Sequence, residues 1–502
     1  MRNESPRHTP AYFRELQGYS LQEVATRLQC ESDIACKFLK RLQQHGIVKI
    51  VRKEKKDYSN ITNEDILLVD NAEDAGGCYK FDFVGVIVLG IQESENKGIE
   101  KVIFCYPKYI KESGENKLSD FRKDFKHVLR AIQEYGKKNQ ELVHLYNGSD
   151  KGSFNHLALA LHILNDYYEN GIYTNIEQVI ENNGEGEIDW DRTINETFAY
   201  LKDNRPYYLE LKTIATQNDE YDYFKRLHEC IVTKCSDYLE NLGLLDLFSL
   251  APIQLTDSVI DDFGDKDYIK YRLEREISSQ FVTKKQNLLK TLYTYVAEKQ
   301  TEQELDNFSV YGTNSLNLVW EKACGRIFEN HFEKGMYNDG ERRFELEKPK
   351  WHFSEKTYET DTLIPDIITR FTRNEDDIYG ILDGKYYLID ESNGSLTGNP
   401  GIQDVVKQFV YHRAILRKIP GCQIFNSFLF PNIKQTNSVE ADFIHIHGCV
   451  TMMDWGIDEL VPVYLAFLNP TQVWIDYANG TSRKKDLNEA RMGIDPKMFL
   501  GM

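Results

Sequence analysis

The sequence predicts a multidomain α+β protein. The chain has 502 residues, room for two to four domains. Hydrophobic residues make up 41% of it, enough for ordinary buried cores. Runs rich in β-branched and aromatic residues and stretches with helical periodicity occupy different blocks of the chain. The expected segments are a helical module over residues 1–56, a mixed β and helical region over 57–250, a helical connector over 251–312 and an α/β domain over 313–502.

Ser20-Leu-Gln-Glu23 has the pattern of a capping box at the start of a helix. A second helix follows Asp33, with Ala35, Phe38, Leu39 and Leu42 at helical spacing. His45-Gly46 reads as its glycine stop, before a short strand. Helix, turn, helix and strand resemble a winged helix. Lys49, Arg52 and Lys53, with Lys55 and Lys56, form its basic edge, placed either to touch DNA phosphate or to dock another protein. Tyr79 to Leu89 and Lys101 to Tyr106 read as strands, and residues 119–250 as mostly helical. Within that region Asn182-Asn-Gly-Glu-Gly-Glu-Ile-Asp-Trp190 reads as a turn before a helix. Residues 267–299 read as one long helix joining two domains.

Composition narrows the function classes. A net charge of −18 argues against a protein that coats nucleic acid through its overall field. It is compatible with a chain that gathers carboxylates at one site and binds DNA locally or through a partner. Nine cysteines without a CxxC pair fit neither a zinc site nor a disulfide framework. No G-x-x-x-x-G-K-[ST] is present, so the chain lacks a nucleotide-binding P-loop of its own. No run approaches the roughly 18 consecutive apolar residues of a membrane span. The polar Met1 to Pro10 has no apolar signal core. The expectation is a soluble cytoplasmic protein with no membrane attachment.

The last 190 residues hold the chemistry. Asn314 to Phe332 reads as a helix carrying Glu321. Leu363 to Phe371 reads as a strand containing Pro365-Asp366, and Ile378 to Ile389 as a second containing Asp383-Gly384-Lys385. A hairpin at Asn374 to Asp377 gives these strands matching lengths. A turn at Asp383-Gly384 is the competing reading. In the first case Asp383 and Lys385 share a face, and an antiparallel neighbour puts Asp366 beside Asp383. Converging carboxylates are costly unless a cation neutralises them, and hard oxygen ligands suit Mg²⁺. The next helix, about Ile402 to Arg417, carries Asp404, Gln408 and Tyr411 on one face, over the site. His412, His445 and His447 read as residues satisfied by hydrogen bonds or facing solvent, and Asp390 and Glu391 as a solvated strand end.

Pro-Asp followed by Asp-x-Lys seventeen residues later resembles the PD-(D/E)XK nuclease superfamily. Leu382-Asp-Gly-Lys-Tyr-Tyr387 is similar to the nuclease subunits of McrBC-type systems. The wider chain, about residues 80–480, resembles the LlaJI restriction endonuclease family. The resemblance implies a restriction-endonuclease-like α/β fold for the last domain. It implies that Asp366 and Asp383 bind Mg²⁺ (with Mn²⁺ as a substitute), that Lys385 positions or activates water, and that Glu321 completes the metal shell. Gln408 and Tyr411 complete the catalytic set. It also implies double-stranded DNA as substrate, a separate McrB-like AAA+ GTPase subunit, and an arrangement in which nuclease domains are able to pair as a dimer. Gly384 departs from the alanine usual at the middle of that motif. Two other functions compete: a non-catalytic subunit that binds and stimulates a partner GTPase, and a winged-helix DNA-binding regulator.

Overall fold

The computed structural model describes residues 10–52, 66, 76–93, 96–110, 118–138, 155–174, 176–218, 223–298, 308–353, 356–359, 362–373, 376–391, 394–431, 443–452 and 462–494. The chain packs as two compact units. One comprises residues 1–153, 247–249 and 308–502, the other residues 154–246 and 250–307. This is a division by packing, whereas the four segments expected from sequence are a division by motif.

The first unit begins with β1 (Ala11–Arg14), β2 (Gly18–Tyr19), α1 (Leu21–Leu28), α2 (Ser32–Gln44), β3 (Val48–Arg52), β4 (Gly77–Phe81), β5 (Val84–Glu93), β6 (Asn96–Tyr106) and α3 (Leu118–Lys138). The capping box forms: Ser20 Oγ accepts the Glu23 N–H, and the Glu23 carboxylate accepts the Ser20 N–H. The strand expected over Tyr79 to Leu89 is broken. At the corner, the Asp82 N–H donates to the Ile47 carbonyl and the Asp82 carboxylate pairs with Lys49. The corner sends β4 into a small antiparallel sheet of order β2-β4-β3 and β5 into a larger one. Val24 and Leu28 of α1 and Phe38, Leu39 and Leu42 of α2 share one core with residues of both sheets.

The second unit contains α4 (His156–Asn170), β7 (Ile176–Asn182), β8 (Glu187–Ile188), α5 (Trp190–Glu196), β9 (Ala199–Lys202), β10 (Arg205–Tyr208), β11 (Lys212–Asn218), α6 (Tyr223–Asn241), α7 (Lys266–Ser279) and α8 (Thr283–Glu298). The mostly helical reading of residues 119–250 holds at α3, α4, α5 and α6 and is corrected over 176–218. Strands fill much of 176–218, because β7 and β11 complete each other through long-range antiparallel pairing that local periodicity does not register. The turn before Trp190 is present, with Asp189 capping α5 by accepting the Arg192 N–H. The long helix expected over 267–299 is two helices. Gln280 is extended, its side chain accepts the Val282 N–H, and Phe281 stands 96% exposed at the break.

The first unit resumes with β12 (Phe308–Thr313), α9 (Leu316–Ile327), β13 (Phe332–Glu333), β14 (Met336–Asn338), β15 (Arg343–Glu345), β16 (Lys350–Phe353), β17 (Lys356–Glu359), β18 (Ile367–Arg373), β19 (Asp376–Gly384), α10 (Ile402–Lys418), β20 (Gln423–Pro431), β21 (Ile444–Val450), β22 (Val463–Leu468), α11 (Pro470–Asn479) and α12 (Lys484–Met492). The larger N-terminal sheet has order β1-β6-β5-β12, so β12 is its last strand. A five-stranded mixed sheet of order β18-β19-β20-β22-β21 forms the C-terminal core. The β18–β19 pair is antiparallel, and β19, β20 and β22 run parallel. Val405 and Phe409 of α10 pack on Phe428, Phe430 and Val463 of the sheet. Trp320 of α9 meets Trp474 of α11 edge-on at 5.4 Å. Among the described residues no helix is long and apolar enough to cross a membrane.

The docking of β12 on β5 depends on paired glycines. A Cβ on Gly85 would stand 2.2 Å from the Tyr311 carbonyl oxygen, and one on Gly312 would stand 2.2 Å from that of Val84. Gly85→Ala is expected to cost about 2 kcal/mol or more in denaturant unfolding, since backbone rather than a flexible side chain must yield. A loss below about 0.5 kcal/mol would contradict this close approach.

Candidate active site

The register of one hairpin creates the site. Ile367 lies opposite Leu382, so the next step along each chain brings Asp366 across from Asp383. Asp383 and Gly384 also pair in parallel with Phe428 and Leu429. They are therefore ladder residues of β19, and the competing turn at Asp383-Gly384 does not form. The hairpin expected at Asn374 to Asp377 closes from Arg373 opposite Asp376, and residues 374 and 375 lie outside the described residues. β18 begins only after Pro365, which lacks the N–H that a ladder needs.

Side-chain alternation then sorts the neighbours. Asp383 is 7% exposed and faces α10, where Gln408 Nε2 donates to its Oδ2 at 3.3 Å. Gly384 faces α9, and a Cβ there would lie 3.1 Å from the Glu321 Cα. The absent side chain lets α9 lie close to the strand end and carries Glu321 into the neighbourhood of Asp383. Lys385 is the first residue past β19, held by its N–H to the Leu429 carbonyl at 2.9 Å. Its ammonium sits 3.1 Å from Asp383 Oδ2 and 3.1 Å from Asp404 Oδ1 in the first turn of α10. Burial alone would lower the Lys385 pKa. The two carboxylates outweigh it and hold the ammonium above its ordinary range.

Asp366 keeps open access to solvent as a residue, yet its carboxyl is crowded by protein atoms. That crowding, with the charges of Asp383 and Glu321, pushes its pKa up to about 8. The Asp366 and Asp383 carboxyls are close enough to share a hydrogen bond when one is protonated. Glu321 is also raised, first by burial and then by Asp383. Four carboxylates (Glu321, Asp366, Asp383 and Asp404) thus surround one ammonium. Asp383 Oδ1 and Gln408 Oε1 are buried without a hydrogen-bond partner among the described residues. An acceptor pair of this kind calls for a donor or a cation. Among the described residues no three or more His, Cys, Asp or Glu side chains form a ready-made metal cluster.

The expected residues do not all take the places foreseen. Tyr411 Oη donates to the Ile364 carbonyl at 3.1 Å, which ties α10 to the segment leading into Asp366. His412 is buried, and burial lowers its pKa. His445 and His447 stack at 5.6 Å, with His447 3.8 Å from Glu391 and half exposed. Lys49 is ion-paired with Asp82, Arg52 is exposed at the end of β3, and Lys53 lies outside the described residues. Sequence reasoning missed Asn330. Its Nδ2 donates to the Asp366 and Phe332 carbonyls at 3.0 Å, and its Oδ1 accepts the N–H groups of Phe332 and Ile368 at 3.0 Å. It fastens the strand that presents Asp366. No local pattern marks this role, because the contacts span 36 and 38 positions.

A family model described as LlaJI restriction endonuclease matches residues 83–465. The Type II restriction enzyme BsuMI component YdjA of Bacillus subtilis (strain 168) is 28% identical over 447 residues, covering 86% of this chain and 90% of that protein. A structure of the half-complex from a tetradecameric assembly of Thermococcus gammatolerans McrB AAA+ hexamers with bound McrC aligns over 96% of this chain and 100% of that chain. The identity is 12% and the TM-score 0.36. The cryo-EM structure of the Thermococcus gammatolerans McrBC complex aligns over 62% and 85%, with 12% identity and a TM-score of 0.25.

The raised Asp366 pKa has a stability consequence. The folded chain retains a proton that the unfolded chain gives up near pH 4, so this group's contribution is full below about pH 4 and is lost as pH rises through about 8. In metal-free buffer Asp366→Asn is expected to raise the melting temperature at pH 7.5, with the gain vanishing toward pH 4. Thermal unfolding at the two pH values checks this, and a variant less stable than wild type at pH 7.5 would contradict it.

Proposed function

The chain belongs to the LlaJI restriction endonuclease family, and on that premise we propose that it is the DNA-cutting subunit of a GTP-dependent restriction system. The observation that carries the proposal is the meeting of Asp366, Asp383 and Lys385 at the end of one hairpin, with a buried carboxylate oxygen left over. We read the C-terminal domain as a PD-(D/E)XK phosphodiesterase fold. We read the N-terminal helix–helix–strand module as winged-helix-like. The substrate is double-stranded DNA, and the partner is an McrB-like AAA+ GTPase, since the chain has no P-loop of its own.

The residues fit a divalent ion such as Mg²⁺. Asp366 and Asp383 offer hard oxygens, Asp383 Oδ1 has no competing donor among the described residues, and Mg²⁺ characteristically keeps several waters and takes substrate oxygens rather than needing a full protein cage. When bound, such an ion neutralises the carboxylates and makes water more acidic beside a phosphate. The chain's own groups do the positioning. Gln408 fixes the Asp383 carboxylate. Asp404 draws the Lys385 ammonium to the mouth of the site, where it is a donor for a phosphate oxygen or the attacking water. Glu321 adds a carboxylate from the opposite face of the sheet end, suited to a water-mediated contact.

The test is cleavage of DNA with Mg²⁺, GTP and the partner subunit supplied. Asp383→Ala and Lys385→Ala are each expected to lower cutting by about a thousandfold or more while leaving GTPase stimulation of the partner intact. Unchanged cutting by Asp383→Ala would remove this site from consideration. A wild-type chain that stimulates the GTPase but never cuts would favour a non-catalytic subunit.

A further inference from the structure

A second set of buried polar side chains lies beside the acidic cluster and takes no part in the chemistry just described. Glu15, which follows β1, is 8% exposed; Lys108, which follows β6, is 4%; Tyr386 is 3%. Tyr386 Oη donates to Glu15 Oε2 at 2.8 Å, and the same oxygen accepts the Lys108 N–H at 3.0 Å. Lys108 Nζ stands 4.6 Å from the centre of the Tyr386 ring, and its carbonyl accepts Arg14 Nε at 2.8 Å. The Tyr386 ring also meets Tyr109 edge-on at 6.2 Å and Trp320 at 6.4 Å. Trp474 Nε1 donates to Tyr109 Oη at 2.7 Å. Trp320 Nε1 donates at 3.1 Å to the Leu429 carbonyl, which also accepts the Lys385 N–H.

Both ends of this bracket adjoin the cluster in sequence: Tyr386 follows Lys385, and Trp320 precedes Glu321. Buried polar and charged side chains are an expensive way to secure a fold, because packed apolar side chains of like volume serve as well or better. What charge and hydrogen bonds add is direction. Past Gly384 the backbone leaves the β19 ladder, with the Lys385 N–H to Leu429 as its last rung. The Tyr387 N–H turns back to the Lys385 carbonyl at 2.9 Å. Lys385 therefore lies between that rung and a tyrosine tied to the N-terminal sheet 371 positions away.

We propose that Glu15 and Tyr386 are positioning residues for Lys385, tying the orientation of its ammonium between Asp383 and Asp404 to the N-terminal sheet. The proposal rests on the reading of Lys385 as part of a cleavage site. Tyr386→Phe deletes only the hydroxyl and keeps the ring. Glu15→Gln keeps an oxygen acceptor and removes the charge, whereas Glu15→Ala removes both.

The assay measures DNA cleavage with Mg²⁺, GTP and partner subunit present, together with thermal unfolding. Tyr386→Phe is expected to lower kcat by at least about tenfold while KM for DNA stays the same and melting shifts by less than roughly 2 °C. Glu15→Gln should cut at near the wild-type rate, Glu15→Ala should match Tyr386→Phe, and the Glu15→Ala/Tyr386→Phe double variant should be no slower than either. Wild-type kcat in Tyr386→Phe, additive losses in the double variant, or a Tyr386→Phe chain that fails to fold each overturns the positioning role. Asp383→Ala runs alongside. If the wild type itself does not cut, the endonuclease reading fails. If the wild type cuts, Asp383→Ala does not, and Tyr386→Phe matches wild type, only the positioning role fails.

Discussion

Asp366 and Asp383 stand opposite one another at the end of one hairpin, the Asp383 side chain buried and the Asp366 carboxyl crowded by protein atoms. An antiparallel register sets them opposite, a parallel neighbour fixes Asp383 from the other side, and Glu321 adds a third carboxylate from α9. Left alone, such a group would relax by rotating a side chain or taking up a proton. The surrounding bonds oppose the first. Asn330 holds the Asp366 strand through two hydrogen bonds, to the Asp366 carbonyl and the Ile368 N–H, Gln408 holds Asp383, and Asp404 competes for the Lys385 ammonium. Burial of the carboxyl first, and the neighbouring Asp383 and Glu321 charges second, raise the Asp366 pKa. Strain kept in place by its surroundings is common at sites where a bound cation or substrate relieves it.

The sheet positions these groups by simple geometry. Alternation along β19 turns Asp383 to α10 and Gly384 to α9, so two helices on opposite faces converge on one strand end. The glycine has a spatial task, since a methyl group there would press on the Glu321 backbone.

Much of this was legible in the chain. Alternating apolar residues around Asp366 and Asp383 implied two strands, and a polar turn between them implied antiparallel pairing, which together place the acids face to face. The four-residue step from Asp404 to Gln408 implied a shared helical face, and both reach the site. What was not legible depends on distant partners. Asn330 carries no signal for a bond to residue 366, the β7–β11 pairing has no local periodicity, and the break at Gln280 to Val282 interrupts an otherwise continuous apolar pattern. Tyr411 has the right spacing to face a ligand, yet its hydroxyl serves the Ile364 carbonyl, because spacing fixes the face of a helix and not the partner of an atom.

The chain belongs to the LlaJI restriction endonuclease family, and the proposal is that its paired acids take a cation between them. The most direct measurement is anomalous scattering from crystals of this chain equilibrated with Mn²⁺. A single strong peak is expected in direct contact with carboxylate oxygens of Asp366 and Asp383, lost in the Asp383→Ala protein. No peak there, or an ion bound elsewhere while the two carboxyls keep their present arrangement, would contradict it.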